Sequence, residues 1–438
     1  MKLKWIANIK AIVDGTTNVH EIVNTIDNWT QQKINAYLNE SFYDIINYSY
    51  KNIPYYHKLF IDNGLNPKEF NDQKLITKIP ILTKEIIRTN YTELRPKNLS
   101  TLKYQTRRSG GTTGEPIESL ISNEAAAFET FAYFKGLIWM GWKPSMTLVK
   151  LFGGSLGVKN KFNLRKTVYN YATNSINIPA FEIDSNTVKQ YYKLLKAKKQ
   201  ICIIGYASAI NSLVYYLKKN NLHLNNVKLV ITTSEALIED WKVNINTYFQ
   251  CEVRSYYGCG EVGSLGYQIA KQNTSYQIPQ EHVILESQSN TNELLITQLH
   301  NKSQPLIRYS NGDIGIIETV NNRPIIKNLI GRKADFFTRS DGTKVSPILG
   351  TFSIQKSNIQ VKKYQYIQYK DLIIEFRYIM EDEDKNITKK EEEVISKIID
   401  NVMSEKTKLI FVKSNLFEIS SSKKHRITTT MDRNYYNI

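Results

Sequence analysis

Four short apolar runs constrain this chain more than any other feature: MTLVKLF (146–152), ICIIGYA (201–207), VKLVITTS (227–234) and CEVRSYYG (251–258). Most are nearly continuous in apolar residues, the mark of a strand covered on both faces. Between them lie stretches with helical spacing, Asn186–Lys199, Ser208–Asn220 and Ala236–Phe249. Buried strands alternating with helices predict βαβ units and a largely parallel sheet, an α/β fold. The first hundred residues read as mainly helical, with segments around Val19–Asn28 and Trp29–Tyr50 and a stop at Pro54. Residues 282–330 read as closely spaced strands, such as HVILE, ELLITQL and IGIIETV, and predict an antiparallel or barrel-like appendage. After Gly331 the texture changes to a turn-rich segment, a strand pair, an amphipathic helix over Ile387–Met403 and the strand KLIFV. The expected organisation is a large domain over 1–330 and a small α+β domain over 331–438.

At 438 residues, the chain has about three domain equivalents and can bury a sizeable core. No apolar stretch reaches the roughly 18 residues of a membrane span. The N-terminal run is split by Lys10 and lacks a small-residue cleavage site, so a cytoplasmic protein is expected. Cys202, Cys251 and Cys259 are too scattered for a disulfide framework or a zinc cluster, and buried thiols are the plain reading. The net charge of +17 invites a nucleic-acid reading. However, its basic clusters are short, Lys198-Lys199, Lys362-Lys363 and Lys389-Lys390, and no nucleic-acid motif accompanies them. A solvated basic surface that attracts small polyanions fits better.

The most informative string is RRSGGTTGEP, Arg107 to Pro116, which packs three glycines and three hydroxyl residues into Ser109-Gly110-Gly111-Thr112-Thr113-Gly114. Glycines permit close backbone approach, and consecutive amides with hydroxyls can wrap phosphate oxygens. No Lys-Ser/Thr pair closes it, so it is not a P-loop, and an ordinary flexible turn is the alternative. Downstream, Tyr257-Gly258-Cys259-Gly260-Glu261 places a carboxylate beyond a strand end. Arg308-Tyr309-Ser310-Asn311-Gly312-Asp313 then offers an Asp suited to two hydroxyl hydrogen bonds. Gly331-Arg332 and Asp341-Gly342-Thr343-Lys344-Val345-Ser346-Pro347 follow.

This ordered set resembles the motifs of the adenylate-forming acyl/aryl-CoA synthetase superfamily. The likeness is greatest to the phenylacetate–CoA ligase group and its branch associated with capsular polysaccharide biosynthesis. NIPYYHKLFIDNGL (52–65), KIPILTKEIIRTN (78–90) and ITTSEALIED (231–240) extend the resemblance from about residue 50 to the C-terminus. It implies an α/β fold with a large N-terminal adenylate-forming domain and a small, mobile α+β C-terminal domain. It also implies that Ser109, Gly110, Gly111, Thr112, Thr113 and Gly114 cradle the ATP phosphates, with Thr112 counted as catalytic. Glu261 would hold Mg2+, Tyr257 and Gly258 would line the adenine site opposite Ser234 and Glu235, Asp313 would take the ribose hydroxyls, and Arg332 would lie near ribose and phosphate.

Near the C-terminus, Lys424 and Arg426 align with the family's Gly-Lys-x-Arg setting, with Lys423 replacing the glycine. Lys424 would bridge the attacking carboxylate and the α-phosphate; a solvated Lys-Lys pair is the alternative. At the hinge the usual acidic pair is Ala334-Asp335. GYQIAKQNTSYQIPQEHVILE carries His282 and no cysteine, so no structural zinc is expected. The acid would lie between AFETFAYFKGLIWMGW (127–142) and Phe152-Gly153-Gly154, where Tyr133, Trp139 and Phe152 are pocket aromatics or plain core.

The activity implied is ATP-dependent activation of a small-molecule carboxylic acid to an acyl-adenylate. The acyl group then passes to a thiol (CoA or a carrier protein) or to a sugar amine, in surface polysaccharide biosynthesis. Two other classes stay open: a nucleotide-binding homologue without turnover, and a basic nucleic-acid-binding protein that would show salt-dependent retention and no response to ATP. The acid and the oligomeric state are not legible in the sequence.

Overall fold

The computed structural model describes residues 17–108, 118–152, 173–180, 187–234, 239–269 and 274–332, most of 337–414, and 428–431, with single positions between. The chain forms two compact units, one from Met1–Gly110 with Pro116–Leu329 and one that includes Ile330–Ile438. No helix among the described residues is long and apolar enough to cross a membrane.

The first unit begins with helices α1 (Thr17–Thr25), α2 (Gln31–Asn52), α3 (Pro54–Asp62) and α4 (Lys84–Thr89). Thr30 and Thr83 cap α2 and α4 by accepting from Lys33 N and Ile86 N. Pro54 both closes α2 and opens α3 at its first position, where a missing N–H costs nothing. Strands β1 (Tyr104–Arg108) and β2 (Glu118–Ser122) then form an antiparallel hairpin outside the main sheet. Helix α5 (Asn123–Trp139) follows.

The four apolar runs become β3 (Thr147–Phe152), β5 (Ile201–Tyr206), β6 (Val227–Thr233) and β7 (Glu252–Cys259), with β4 (Ser175–Pro179) outside β3. All five run parallel to one another. Strand β5 is buried at every position, as a two-sided cover requires. Helices α6 (Val188–Lys196), α7 (Ala207–Lys219) and α8 (Glu239–Phe249) cover one face through Leu195, Leu213 and Ile245. Helix α5 belongs to the other, where Leu137 joins Leu148, Ile204 and Ile231. A Cβ on Gly136 would lie 2.2 Å from the Tyr267 ring, so glycine is what lets α5 approach this close.

The strands beyond β7 correct the barrel-like expectation. β8 (Gly263–Tyr267), β9 (Tyr276–Gln277), β10 (Val283–Ser287), β11 (Glu293–Gln298), β12 (Tyr309–Val320) and β13 (Arg323–Arg332) continue the same sheet. The result is one open 11-stranded sheet in the order β10-β11-β12-β13-β9-β8-β7-β6-β5-β3-β4. Strands β8 and β9 extend the sheet from β7, and the run β10–β13 joins it through the antiparallel pairing of β13 with β9, so β10 and β4 remain unpaired edges. Helices α2 and α3 and the 76–94 segment share a core with this half, Phe42, Ile46 and Phe60 clustering with Leu265, Ile296 and Tyr309.

The second unit holds a short pair, β14 (Phe337–Thr338) and β15 (Lys344–Val345), and a four-stranded sheet with helix α9 (Lys389–Met403). Its strands β16 (Val361–Tyr369), β17 (Ile374–Met380), β18 (Leu409–Lys413) and β19 (Thr428–Met431) run in the order β18-β17-β16-β19. Ile395, Ile399 and Met403 of α9 share a core with Tyr366, Phe376 and Tyr378.

One buried polar network ties α5 into the first unit. Lys135 Nζ stands 2.8 Å from Glu281 Oε1 and 3.5 Å from Asp27 Oδ1, and the Lys135 and Glu281 side chains are 9% and 1% exposed. Arg323 reaches the same Asp27 at 3.7 Å. Burial pushes the Glu281 carboxyl up, and Lys135 opposes that shift. Lys135→Met should therefore cost about 3 kcal/mol in urea unfolding at pH 8, because a buried carboxylate loses its cation. A carboxyl whose pKa is raised on folding binds its proton more tightly in the folded state. The deficit should thus shrink as pH falls from 8 to 5.

Candidate functional site

The site is built around the C-terminal end of β7. Tyr257, Gly258 and Cys259 lie in β7, and Glu261 follows in the turn to β8. That turn is tight: a Cβ on Gly258 would meet Gly263 O at 2.4 Å, and Gly263 has φ +87°. Glycines are required at both positions, for close backbone approach and for left-handed geometry.

Glu261 is only 4% exposed, yet two polar groups reach it. Lys84 Nζ lies 3.5 Å from Oε1, and the Tyr309 hydroxyl donates to the same oxygen at 3.2 Å. Lys84 is the first residue of α4. The chain before it runs beside the start of β12, with Leu82 N donating to Arg308 O (3.1 Å) and Ser310 N donating to Leu82 O (2.9 Å). Arg308, at φ +51°, secures that segment. Its guanidinium donates to the carbonyls of Thr77 (3.1 Å) and Ile79 (2.6 Å) and pairs with Glu286 at 3.1 Å.

Tyr309, Asn311 and Asp313 occupy alternate, buried positions of β12. The Tyr257 hydroxyl donates to Asp313 Oδ2 at 2.6 Å, and Asn311 Nδ2 donates to the same oxygen at 2.7 Å. Asp313 N in turn donates to Asn311 Oδ1 at 3.1 Å. Burial first, then the Asp313 charge, pushes the Tyr257 phenol well above its usual range, so it stays a donor to this carboxylate. Burial and the neighbouring Glu261 likewise push the Cys259 thiol well up.

The structure brings Tyr257, Gly258, Glu261 and Asp313 together. Ser234 directly follows β6, at φ +68°. Thr233 pairs with Tyr256, which sets Ser234 at the same sheet end as Tyr257. Arg332 closes β13, and its side chain lies outside the described residues. So do Ser109, Gly110, Gly111, Thr112, Thr113, Gly114, Glu235 and Lys424. The stems of the glycine-rich segment are described: β1 ends at Arg108 and β2 begins at Glu118. On β1, Arg107 Nη1 pairs with Glu129 Oε2 of α5 at 2.6 Å.

Of the aromatics expected near an acid, Tyr133 packs edge-on against Tyr256, Trp139 against Tyr267, and Phe152 against Tyr206. Trp139 Nε1 also donates to Asp27 at 3.1 Å, joining it to the buried network. Sequence reasoning missed Lys84, Tyr309 and Asn311 as site residues. The only available signals were the alternation of Tyr309, Asn311 and Asp313 and the lysine in PILTK.

A single buried carboxylate suits magnesium, which takes one or two protein carboxylates and completes its shell with water and phosphate oxygens. No cluster of three or more His, Cys, Asp or Glu exists among the described residues.

No family model matches the chain. Among known proteins it is similar to Protein CapK of Staphylococcus aureus, 27% identical over 373 residues, 80% of this chain and 79% of that protein. It is 20% identical over 308 residues to phenylacetate-coenzyme A ligase of Thermus thermophilus, covering 65% of this chain and 66% of that one. Its fold matches 2-hydroxyisobutyryl-CoA ligase in the postadenylation state in complex with 2-HIB-AMP. The TM-score is 0.70 at 15% identity, over 91% of this chain and 89% of that one. Fold and similarities together define an enzyme of the adenylate-forming ligase class. Within that superfamily its similarities lie with the phenylacetate–CoA ligase group and CapK-like proteins.

The thiols give a direct check on the site's burial. Burial pushes Cys202 up, Cys251 up to about 12 and Cys259 well up, so little thiolate exists at pH 8. A thiol reagent should label the native protein far more slowly than the urea-unfolded chain, in which all three cysteines should react.

Proposed function

We propose that the protein condenses a carboxylic acid with ATP to give an acyl-adenylate and pyrophosphate, then transfers the acyl group. In the first step a carboxylate oxygen attacks the α-phosphorus, and the bond from that phosphorus to the β-bridging oxygen breaks. In the second, a thiol or amine attacks the adenylate carbonyl, loses its proton, and AMP departs. The observation that carries this reading is the meeting of a buried carboxylate, Glu261, with the Tyr257–Asp313–Asn311 cluster at one end of β7.

Asp313, held by Tyr257 and Asn311, takes the ribose hydroxyls. An acceptor fixed by two donors keeps its orientation without reorganising as substrate arrives. Ser109, Gly110, Gly111, Thr112, Thr113 and Gly114 wrap the phosphates with backbone amides and hydroxyls. Glu261 holds magnesium. When bound, that ion supplies positive charge to the phosphate oxygens of ATP. Lys84 sets a cation beside Glu261, and Tyr309 orients its Oε1. Ser234, Glu235 and Gly258 flank the adenine, and Arg332 approaches ribose and phosphate. Lys424 spans the attacking carboxylate and the α-phosphate, where a mobile point charge can follow charge between oxygens. The segment beyond residue 331 acts as a lid that presents Lys424. Rates then come from positioning and charge stabilisation more than from covalent catalysis. The acceptor is CoA, a carrier-protein thiol or a sugar amine. Resemblance to the capsular branch supports a place in surface polysaccharide biosynthesis, in the cytoplasm.

Carboxylate-dependent pyrophosphate release from magnesium-ATP, with pooled aryl, fatty, hydroxy and amino acids, tests the reading. One pool should support release, and Lys424→Ala and Glu261→Ala should each slow it by at least about 100-fold. Silence in every pool, without any ATP-induced rise in melting temperature, would return residues 109–114 to an ordinary turn. Silence with that rise intact would instead favour a homologue that binds nucleotide without turnover.

A further inference from the structure

Between Ser185 and Ser234 the sequence holds eight lysines and no aspartate or glutamate. The fold gathers seven of them at one end of the parallel sheet. Strands β3 to β7 run parallel, so the helices between them return to the end where the strands begin. Lys193 and Lys196 lie in the last turn of α6, and Lys218 and Lys219 in the last turn of α7. Lys198 and Lys199 occupy the turn into β5, and Lys228 is the second residue of β6. Asn226 fastens these pieces together. Its Nδ2 donates to Leu195 O (2.9 Å) and Lys198 O (2.6 Å), and its carbonyl accepts from Ile201 N (2.9 Å). Ser234 and Glu261 stand at the opposite ends of β6 and β7.

Six of these seven side chains are exposed, and Lys198 is half-buried. Among the described residues no ion pair joins any of them to a carboxylate. Their contacts are with neutral groups. Lys218 donates to Asn244 Oδ1 at 2.5 Å and Lys228 to Asn225 O at 3.2 Å, while Lys196 and Lys219 lie over the rings of Tyr192 and Tyr215. Of the acidic groups on adjoining elements, Glu252 at the start of β7 pairs with Arg254. Glu239 pairs with Lys242, and it shares with Asp240 the first turn of α8, at the other end of the sheet. A cation at a helix C-terminus answers the helix dipole, which accounts for the lysines that end α6 and α7. Lys198, Lys199 and Lys228 lie beyond both helices, and like charges gathered together repel one another.

An anionic partner relieves such a field, and two details favour one kind. The stretch contains no arginine. Arginine's planar fork matches a phosphate or a base edge in fixed geometry, whereas lysine is a hydrated point charge that asks for none. A crowd of mobile lipid headgroups offers charge without fixed geometry. In addition, Leu194 lies between Lys193 and Lys196 on α6 and is 42% exposed, with the Tyr192 ring 5.3 Å from Lys196 Nζ. A leucine and a tyrosine set among lysines suit the boundary between headgroups and acyl chains, where long cationic side chains keep their heads in water. We propose that this end of the sheet docks on an anionic lipid bilayer, with the lysines at headgroup level and Leu194 against the acyl boundary. The ends of β6 and β7 that carry Ser234 and Glu261 then face away from the lipid. Docking of this kind is independent of the chemistry at those ends.

Co-sedimentation of the full chain with vesicles tests this, using phosphatidylcholine alone or with about 30% phosphatidylserine. Lys198→Glu/Lys199→Glu reverses two charges in a turn outside any helix or strand. Lys389→Glu/Lys390→Glu makes the same change at the start of α9, in the other unit, and serves as the control. Position 194 gives a second readout. Burial keeps the native thiols protonated, so Leu194→Cys can be labelled selectively with a polarity-sensitive dye.

The chain should bind the phosphatidylserine vesicles and not phosphatidylcholine alone, and should be released between about 0.05 and 0.5 M salt as screening tightens. Each lysine near such a surface adds roughly fivefold to binding, so Lys198→Glu/Lys199→Glu should bind at least about 20-fold more weakly. Lys389→Glu/Lys390→Glu should stay within about twofold of wild type, and the dye at position 194 should brighten on the anionic vesicles. If the reversed variant does not fold, Lys198→Gln/Lys199→Gln carries the comparison, with a loss of at least about fivefold. Equal losses in the two reversed pairs overturn a local docking face, since net charge would then suffice. A dye signal that stays unchanged in the bound protein overturns the orientation. Tighter binding to a random-sequence DNA duplex than to the anionic vesicles, weakened by the same reversal, overturns the lipid assignment in favour of nucleic acid. No binding to anionic vesicles at the lowest salt overturns the proposal, whatever the chain does with ATP.

Discussion

A carboxylate buried as deeply as that of Glu261 has to be met by a cation or by donors, and much of the site follows from that need. The cation comes from Lys84 and a donor from Tyr309, about 180 residues before and 50 after it in the chain. Neither arrives by chance. The Lys84 segment is pinned to β12 by backbone bonds at Leu82 and by the Arg308 guanidinium, which itself needs Glu286. One buried charge therefore recruits a chain of supports, each satisfying the next. Placing a charge where water is scarce makes it a strong electrostatic device, and the same scarcity makes any missing partner costly.

The sheet decides where that device can stand. Five parallel strands end on β7, and β8 reverses direction beside it. In open α/β sheets the carboxyl ends of the parallel strands leave room for a ligand. Ser234 after β6 and Glu261 after β7 lie at that end. The antiparallel half brings the alternating face of β12 to the same place, with Tyr309, Asn311 and Asp313 all pointing inward. A closed barrel would have turned β12 onto itself. An open sheet lets one side of a parallel core and one side of an antiparallel extension face a common site.

Polar side chains complete what the backbone leaves open. Asn301 and Gln304 finish the edge of β2, and Lys135 with Asp27, Glu281 and Arg323 ties α5 to strands far along the chain. These groups share a physical signature: nearly full burial with a specific partner. They hold elements in one relative pose, which apolar packing alone does less selectively.

The parallel core was legible in the sequence because strands buried on both faces must be written as continuous apolar runs, and helices between them as amphipathic ones. Strand β4 escaped because SINIP at the sheet edge is only partly buried and lacks that signal. The antiparallel strands were legible individually, but alternation describes a strand's two faces and carries nothing about closure, so a barrel and an open extension read alike. Pro54 read as a stop and is also a start, since a proline tolerated at a first helical turn looks the same as one that ends the turn before. The motif residues Tyr257, Gly258, Glu261 and Asp313 stood out only as parts of an ordered set of motifs that resembles a known family. Local order along the chain thus determined which elements form and which residues are candidates for the chemistry. Tertiary structure alone decided that Lys84 faces Glu261, that Tyr257 holds Asp313, and that Asn301 and Gln304 finish β2. Those contacts join residues tens to hundreds of positions apart, and burial, which makes them necessary, exists only once the chain has folded.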